Sequence, residues 1–174
     1  LRAVKGHHFL LDVLSILKNN DCPTLCLVIG DGPLRSELTS RSAALGLNVQ
    51  FVGHVADPSP YLLQCDAFVQ SSSSEGLSNS LLEAMSVGCA IVATDVGGTR
   101  EALGSAGGLV PYGQPGRFAQ ALSDVIQNKD WARRLGHAAA LRARGLSATE
   151  VARSYEEQYR KLRALRDGGG RHGT

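Results

Sequence analysis

Apolar residues recur along this chain first at helical spacing and then in short unbroken runs. The segment HHFLLDVLSILKNN, residues 7–20, places apolar side chains three or four positions apart from Leu10 to Leu17, which is the spacing of one helix face. The run TLCLVIG, residues 24–30, follows it. A short run without polar residues is typical of a strand that a parallel sheet buries on both faces. The chain therefore opens with a predicted helix followed by a buried strand.

The same alternation continues to the end of the chain. Strands separated by helices predict the α/β class, with a Rossmann-like parallel sheet and helices on both faces, because parallel neighbours need a crossover connection. The patterns predict strands over 49–53, 67–72, 90–95 and 107–111, a turn over 57–65, and helices over 33–45, 115–127, 129–144 and 147–165.

We expect one domain over residues 1–166, followed by a flexible tail over 167–174 with the sequence DGGGRHGT. Residues 1–6 resemble the end of a strand-to-helix loop, so we expect the first strand of the domain to be truncated. The chain has 174 residues, with 43% apolar and 20% charged, which fits a soluble globular domain. The net charge of +2 is small and dispersed, so no nucleic-acid partner is predicted.

The four cysteines are scattered and form no C-x-x-C pair. Cys26, Cys65 and Cys89 lie in or beside apolar runs, where a cysteine usually acts as a small hydrophobic residue. We therefore predict neither a zinc site nor a disulfide framework. No apolar run is long enough to span a bilayer, and we expect a reducing, cytoplasmic compartment.

Ligands of parallel α/β sheets bind beyond the carboxyl ends of the strands. This rule places four loops at the candidate site: Gly30–Pro33, Gly53–Val55, Ser71–Ser78 and Val96–Arg100. Glycines directly before a helix leave backbone N–H groups free at the positive end of the helix dipole, which favours an anion such as phosphate. A tight turn is the alternative for any one of these glycines.

Two common phosphate-binding classes do not fit these loops. The segment GDGPLR begins like a dinucleotide-binding turn, but Arg35 stands in place of the third glycine. No acid follows in the next strand, VQFVG, to hold a ribose. The chain also lacks the G-x-x-x-x-G-K-[ST] loop of the P-loop NTPases.

Glu75 and Glu83 stand eight positions apart in SSSSEGLSNSLLEAM, residues 71–85. Carboxylates accept hydrogen bonds from vicinal hydroxyl groups, and the N–H groups of residues 76–80 lie between the two acids. This arrangement indicates a nucleotide sugar, with phosphates across the helix start. For Glu83 the alternative is a capping box with Ser80, although apolar neighbours in LLEAM favour a buried acid that needs a partner. For Glu75 the alternative is an exposed loop acid.

The segment from residue 72 to 103, SSSEGLSNSLLEAMSVGCAIVATDVGGTREAL, closely resembles the Glu-x7-Glu region of retaining glycosyltransferases of the GT-B fold, particularly family four. The resemblance extends through LRAVKGHHFLLDVL, LVIGDGPLRSEL and VQFVGHV and covers about residues 1–128. It implies that this chain is the C-terminal, donor-binding half of such an enzyme.

The resemblance also implies roles for individual residues. Glu75 would hold the donor sugar hydroxyls, Glu83 the ribose hydroxyls, and Lys5 would neutralise the diphosphate leaving group. The further donor-binding candidates, from the loops after the strands and the start of the chain, are Gly76, Leu77, Ser78, Asn79, Gly30, Gly32, Gly53, His54 and Arg2. Arg2 is the candidate substitute for the arginine that many family members carry about five residues before the lysine. Ser78 stands where proline is most frequent.

The implied reaction is transfer of a sugar from a UDP-, GDP- or ADP-sugar to an acceptor hydroxyl, with retention at the anomeric carbon, in polysaccharide or glycoconjugate biosynthesis. No D-x-D motif occurs in the chain, and we expect neither a metal nor another cofactor. An N-terminal domain would bind the acceptor and supply any peripheral membrane association. The alternatives are a nucleotide-sugar epimerase of GT-B fold and a non-catalytic module that binds nucleotide sugars or protein.

Overall fold

The computed structural model describes residues 1–146. A 3₁₀ turn over Ala3–Lys5 leads into the alternation of helices and strands that the sequence predicts. The elements are α1 His7–Asn19, β1 Cys26–Ile29, α2 Arg35–Ala44, β2 Val49–Gly53, α3 Ser59–Gln64, β3 Phe68–Gln70, α4 Asn79–Ser86, β4 Ile91–Thr94, α5 Thr99–Leu103, β5 Gly108–Val110, α6 Pro115–Gln127 and α7 Lys129–Arg144. The predicted helix over 147–165, the domain end at 166 and the predicted tail lie outside the described residues.

All strand pairs among the described residues are parallel, as the alternation predicts. β1 pairs with β2, and β4 lies between β3 and β5. The register sets Phe68 opposite Ile91 and Val92 opposite Gly108. Backbone hydrogen bonds thus join the strands in one group of two and one group of three, where we expected a single sheet.

Helices cover both faces of the three-stranded group. β4 is buried along its whole length, and its side chains alternate between two apolar clusters. Val92 packs in a cluster with side chains of α1 and α6, such as Leu14 and Phe118. Ile91 and Ala93 belong to a second cluster, which α4 and α5 share. The α/β class with helices on both faces is therefore confirmed.

Two short helices appear where the sequence does not predict them. α3 occupies the predicted turn over 57–65. Pro58 and Pro60 stand at its start, where a missing N–H costs nothing. α5 follows the glycine pair Gly97 and Gly98 and has five residues, too few to give a visible helical period in the sequence.

Several predicted elements, among them α2 and β3, are shorter in the structure than the sequence predicts. α2 begins at Arg35 rather than residue 33 because Gly32, Pro33 and Leu34 form a turn that the Arg35 N–H closes on the Gly32 carbonyl at 3.0 Å. β3 ends at Gln70, before the predicted residue 72, and the chain beyond it bonds to the start of the chain through Ser71 and Ser73. No helix among the described residues is long and apolar enough to cross a bilayer.

Candidate functional site

Lys5 and Glu75 form an ion pair although 70 residues separate them in the chain. Lys5 Nζ donates a hydrogen bond to Glu75 Oε2 at 2.8 Å. Ser72 Oγ donates to the same carboxylate oxygen at 3.0 Å. The Glu75 side chain is 14% exposed and that of Lys5 is 43% exposed. Glu75 is thus not the exposed loop acid that the sequence left as an alternative, because the fold covers it and gives it two partners.

The serines before Glu75 hold the lysine turn in place. Ser71 Oγ donates to the Lys5 carbonyl at 2.9 Å, and the Ser73 N–H donates to the Val4 carbonyl at 2.8 Å. Gly6 lies against the same serines with φ +66°, and a Cβ on it would be 1.9 Å from the Ser71 carbonyl oxygen. These serines therefore join the start of the chain to the end of β3.

Gly97 and Gly98 close the Glu75 loop from the other side. Gly97 has φ +49°, and a Cβ on it would lie 1.6 Å from the Glu75 carbonyl oxygen. The Gly98 N–H donates to that carbonyl at 3.3 Å, and a Cβ on Gly98 would lie 2.9 Å from the Gly76 carbonyl oxygen. The predicted loop over 96–100 therefore does lie at this site, where its glycines allow the two backbones to touch.

Four buried polar residues lie beneath the site, and the sequence analysis did not predict them. Thr94 Oγ1 donates to the Ser72 carbonyl at 2.6 Å, and Gln70 Nε2 donates to Thr99 Oγ1 at 2.8 Å. All four of these residues are buried. The signal was the polar residue that ends each apolar run, AFVQ and AIVAT, because a polar side chain in such a place needs a partner inside the protein.

The start of α4 lies beside the Lys5–Glu75 ion pair and is open to solvent. Gly76, Leu77 and Asn79 are exposed, whereas Ser78 is buried. Ser78 is the N-cap, and its Oγ accepts from the Leu81 N–H at 3.4 Å. The exposed residues 76, 77 and 79 can therefore present backbone N–H groups to an anion at the helix start.

The capping box proposed for Glu83 does not form. Ser80 lies within α4 rather than at its N-cap, so Glu83 is not at the position from which a capping box closes. Glu83 is also exposed, which corrects the expectation that its apolar neighbours bury it. The turn of α4 sends Leu81, Ala84 and Met85 into the core and leaves Glu83 on the outer face.

The loops after β1 and β2 meet each other at their glycines. The Gly30 N–H donates to the Gly53 carbonyl at 2.7 Å. His54 is exposed beside them, and Arg35 Nη2 donates to the Phe51 carbonyl at 2.7 Å. These contacts place Gly53 and His54 at the carboxyl end of β2, as the sequence predicts.

Two further candidates differ in how open they are. The Gly32 N–H donates to Asp31 Oδ1 at 2.7 Å, and a Cβ on Gly32 would lie 1.7 Å from the Leu1 nitrogen. Gly32 is therefore used in packing, and its N–H is not open to a ligand in this structure. Arg2 is exposed at the turn that carries Lys5.

Within residues 1–146, no cluster of three or more His, Cys, Asp or Glu side chains could hold a metal ion. The expectation of a reaction without metal remains a prediction. The site thus consists of one half-buried ion pair, one open helix start and one exposed acid, joined by close backbone contacts.

Comparison with known proteins gives one family. The family described as "Glycosyl transferases group 1" matches residues 1–128. D-rhamnosyltransferase WbpZ of Pseudomonas aeruginosa is 36% identical over 154 residues, which cover 84% of this chain and 39% of that protein. The chain therefore spans about two fifths of the length of this relative.

Solved structures agree with the sequence match. Anabaena Alr3699/HepE, crystallised in complex with UDP-glucose, is 26% identical with a TM-score of 0.74, over 82% of this chain and 41% of that one. The C-terminal domain of a glycosyl transferase group 1 family protein, LpcC of Francisella tularensis, is 23% identical with a TM-score of 0.71, over 82% of this chain and 79% of that one. The second likeness shows the fold alone.

Proposed function

Because the chain belongs to the glycosyl transferases group 1 family, we propose that it forms the donor-binding half of a glycosyltransferase that uses a nucleoside-diphosphate sugar. The observation that carries this proposal is the Lys5–Glu75 ion pair beside the start of α4. Glu83 is exposed in the second turn of the same helix. A donor of this class needs a cation for its diphosphate and acceptors for its hydroxyl groups. The turn that carries Lys5, the Glu75 loop and α4 together offer both.

Lys5 is suited to the diphosphate. An ammonium group has three donors, and one of them is engaged by Glu75. With 43% of its side chain exposed, Lys5 keeps donors for a phosphate oxygen. The open N–H groups at the start of α4 add the positive end of a helix dipole. Together they would stabilise the negative charge that grows on the leaving diphosphate.

The two glutamates would bind different parts of the donor. Glu75 is fixed by Lys5 and Ser72, so its carboxylate is oriented before the ligand arrives, as a group beside the reacting carbon should be. Glu83 is exposed and free to accept hydrogen bonds from ribose hydroxyls. Gly53 and His54 would line the base, through backbone contacts.

The reaction we propose is transfer with retention of configuration. The bond between the anomeric carbon and the diphosphate oxygen breaks, and a bond to the acceptor oxygen forms on the same face of the sugar. The nucleoside diphosphate and the proton of the acceptor hydroxyl are released. Products of this class serve polysaccharide or glycoconjugate synthesis, and the WbpZ relative is a D-rhamnosyltransferase.

We further propose that the acceptor site lies in a second domain. The chain spans 39% of WbpZ and 41% of the HepE chain, so the rest of an enzyme of this size would have room for it. We expect the 174-residue chain to bind nucleotides without measurable transfer. We expect the enzyme to act in the cytoplasm, with any membrane contact made by the other domain and no metal needed.

A thermal-shift titration of the full chain with UDP, GDP, ADP and their sugars tests the donor proposal. One nucleotide at 100 times its Kd should stabilise the fold by about 2.7 kcal/mol, which raises Tm by roughly 5 to 10 °C. The absence of a shift with all three at millimolar concentration would contradict nucleotide binding and favour a protein-binding module. Product analysis with both domains present would distinguish transfer from the alternative of an epimerase, which returns an altered nucleotide sugar and no glycosylated acceptor.

A further inference from the structure

Cys65 and Cys89 lie in contact at the amino ends of β3 and β4. Their sulfur atoms are 3.2 Å apart, although 24 residues separate them in the chain. Both are free thiols in the structure. A disulfide bond is about 2.05 Å long, so the sulfurs would need to approach by roughly 1 Å. A small rotation of the exposed side chain can supply a movement of this size.

The two thiols differ in exposure and in acidity. Cys65 is exposed and Cys89 is 5% exposed, and both line a cleft of about 190 Å³ beside Leu62 and Val87. The hydrogen bond between the two sulfur atoms lowers the pKa of Cys65. The same bond and burial raise the pKa of Cys89. Because the thiolate is the nucleophile, Cys65 is the thiol that can react first.

The cleft that holds Cys65 is lined by one carboxylate, Asp66, and two cations, Lys129 and Arg133. The neighbouring carboxylate of Asp66 opposes the lower pKa of Cys65. Lys129 Nζ pairs with that carboxylate at 2.5 Å and so offsets its effect. The mouth of the cleft therefore presents an accessible sulfur with no strong local repulsion of anionic reagents.

We propose that Cys65 and Cys89 are a redox-active dithiol that closes to a disulfide in the presence of a low-molecular-weight disulfide such as oxidised glutathione. The Cys65 thiolate attacks one sulfur of the reagent, forms a mixed disulfide and releases one thiolate. Cys89 then loses its proton and attacks the Cys65 sulfur, which releases the second thiolate. The two protein thiols are oxidised, the reagent is reduced to two thiols, and the two protons pass to the released thiolates.

The crosslink would close the segment that carries the candidate site. Residues 65–89 include β3, the loop with Glu75 and all of α4. The cysteines lie at the amino ends of β3 and β4, whereas the Glu75 loop follows the carboxyl end of β3. Closing this segment restricts the unfolded chain and leaves the folded site in place. We expect oxidation to raise the Tm of the full chain by about 5 °C or more.

Mass spectrometry of the full chain, before and after treatment with oxidised glutathione, tests the bond itself. The expected product is lighter by about 2 Da, the mass of two hydrogens. No Lys or Arg lies between Arg41 and Arg100, so trypsin leaves both cysteines in one peptide. Cleavage after glutamate separates them into residues 38–75 and 84–101, and non-reducing digestion should give these two peptides joined.

The Cys65→Ser variant should lose both the linked peptides and the rise in Tm, while Cys22→Ala keeps both. Cys65 is exposed, so its replacement by serine should leave the reduced protein as stable as the parent. A mixed disulfide that persists at Cys65 would overturn the proposal, because Cys89 would then not be able to reach it. An equal rise in Tm in Cys65→Ser would also overturn it.

Discussion

The loop before α4 and the first turns of α4 are consecutive in the chain, yet the fold holds them very differently. In the loop, Glu75 is 14% exposed, pairs with Lys5 and accepts from Ser72. One helix turn later, Glu83 is exposed on the outer face of α4. Two acids of one motif can therefore carry separate tasks. Glu75 is part of the packing, whereas Glu83 is available without any change in the core.

We expect the greatest loss of stability when a side chain is added to Gly97, which packs against the backbone of Glu75. Gly97→Ala would place a Cβ 1.6 Å from the Glu75 carbonyl oxygen at a φ of +49°. Overpacking and a left-handed conformation together should lower the free energy of unfolding by about 3 kcal/mol or more. The midpoint of urea denaturation measures this loss.

Gly76→Ala is the matched control for Gly97→Ala, because Gly76 follows Glu75 in the loop that Gly97 contacts and a Cβ on it has nothing within 4 Å. Its free energy of unfolding should stay within about 0.5 kcal/mol of the parent. Equal losses of stability in both variants would contradict this explanation, because they would show that the close approach of Gly97 to Glu75 is not the cause.

The second expected effect concerns the half-buried ion pair. Lys5→Met leaves the Glu75 carboxylate with Ser72 alone, and we expect a loss of about 1 to 2 kcal/mol in the free energy of unfolding. We also expect roughly tenfold weaker binding of a nucleoside diphosphate, because a charged hydrogen bond to phosphate is lost. Urea denaturation and calorimetric titration measure the two losses.

Lys129→Met gives a matched comparison with another lysine–carboxylate pair. Lys129 and Asp66 are 2.5 Å apart, with side chains 61% and 62% exposed. An exposed pair of this kind contributes between zero and about 1 kcal/mol to the free energy of unfolding. Lys129→Met should leave nucleotide affinity unchanged. A loss of nucleotide affinity in Lys129→Met as large as that in Lys5→Met would contradict a specific role for Lys5.

The third expected effect separates the two glutamates by ligand. Glu83→Gln should weaken UDP and UDP-sugar equally, by roughly tenfold for whichever nucleotide binds, because a charged acceptor of ribose hydroxyls is lost. Glu75→Gln should weaken the sugar nucleotide by a similar factor and leave the free nucleotide within about threefold. Titration calorimetry with both ligands gives the two ratios. Equal ratios in the two variants would show that the tasks are not divided.

Much of this organisation follows from the sequence, and the parts that do not have identifiable causes. The bounds of β2, α6 and α7 agree with their apolar patterns, because each pattern extends over the whole element. α3 and α5 have fewer than two turns, so they show no helical period. Glu75 and Glu83 were identified as site candidates from their spacing and the N–H groups between them, and their separate roles were implied by the family resemblance.

The contacts that fix the site could not be predicted, because they join distant segments. The hydrogen bond from Ser71 to the Lys5 carbonyl spans 66 residues, and that from Thr94 to the Ser72 carbonyl spans 22. A run of serines has the same composition whether it faces water or docks on another turn. The role of these serines follows from the fold, because the fold places the Lys5 turn against them.

The smallest expected effect concerns which serine caps α4, because the sequence left a capping box at Ser80 open as the alternative for Glu83. Ser78 Oγ accepts from the Leu81 N–H, while Ser80 lies inside the helix. Ser78→Ala should lower the free energy of unfolding by about 1 kcal/mol through loss of the cap. Ser80→Ala should be neutral or stabilising by about 0.5 kcal/mol, since alanine is the better helix former. Urea denaturation of the two variants gives both values. A greater loss in Ser80→Ala would restore the capping box, and with it a structural role for Glu83.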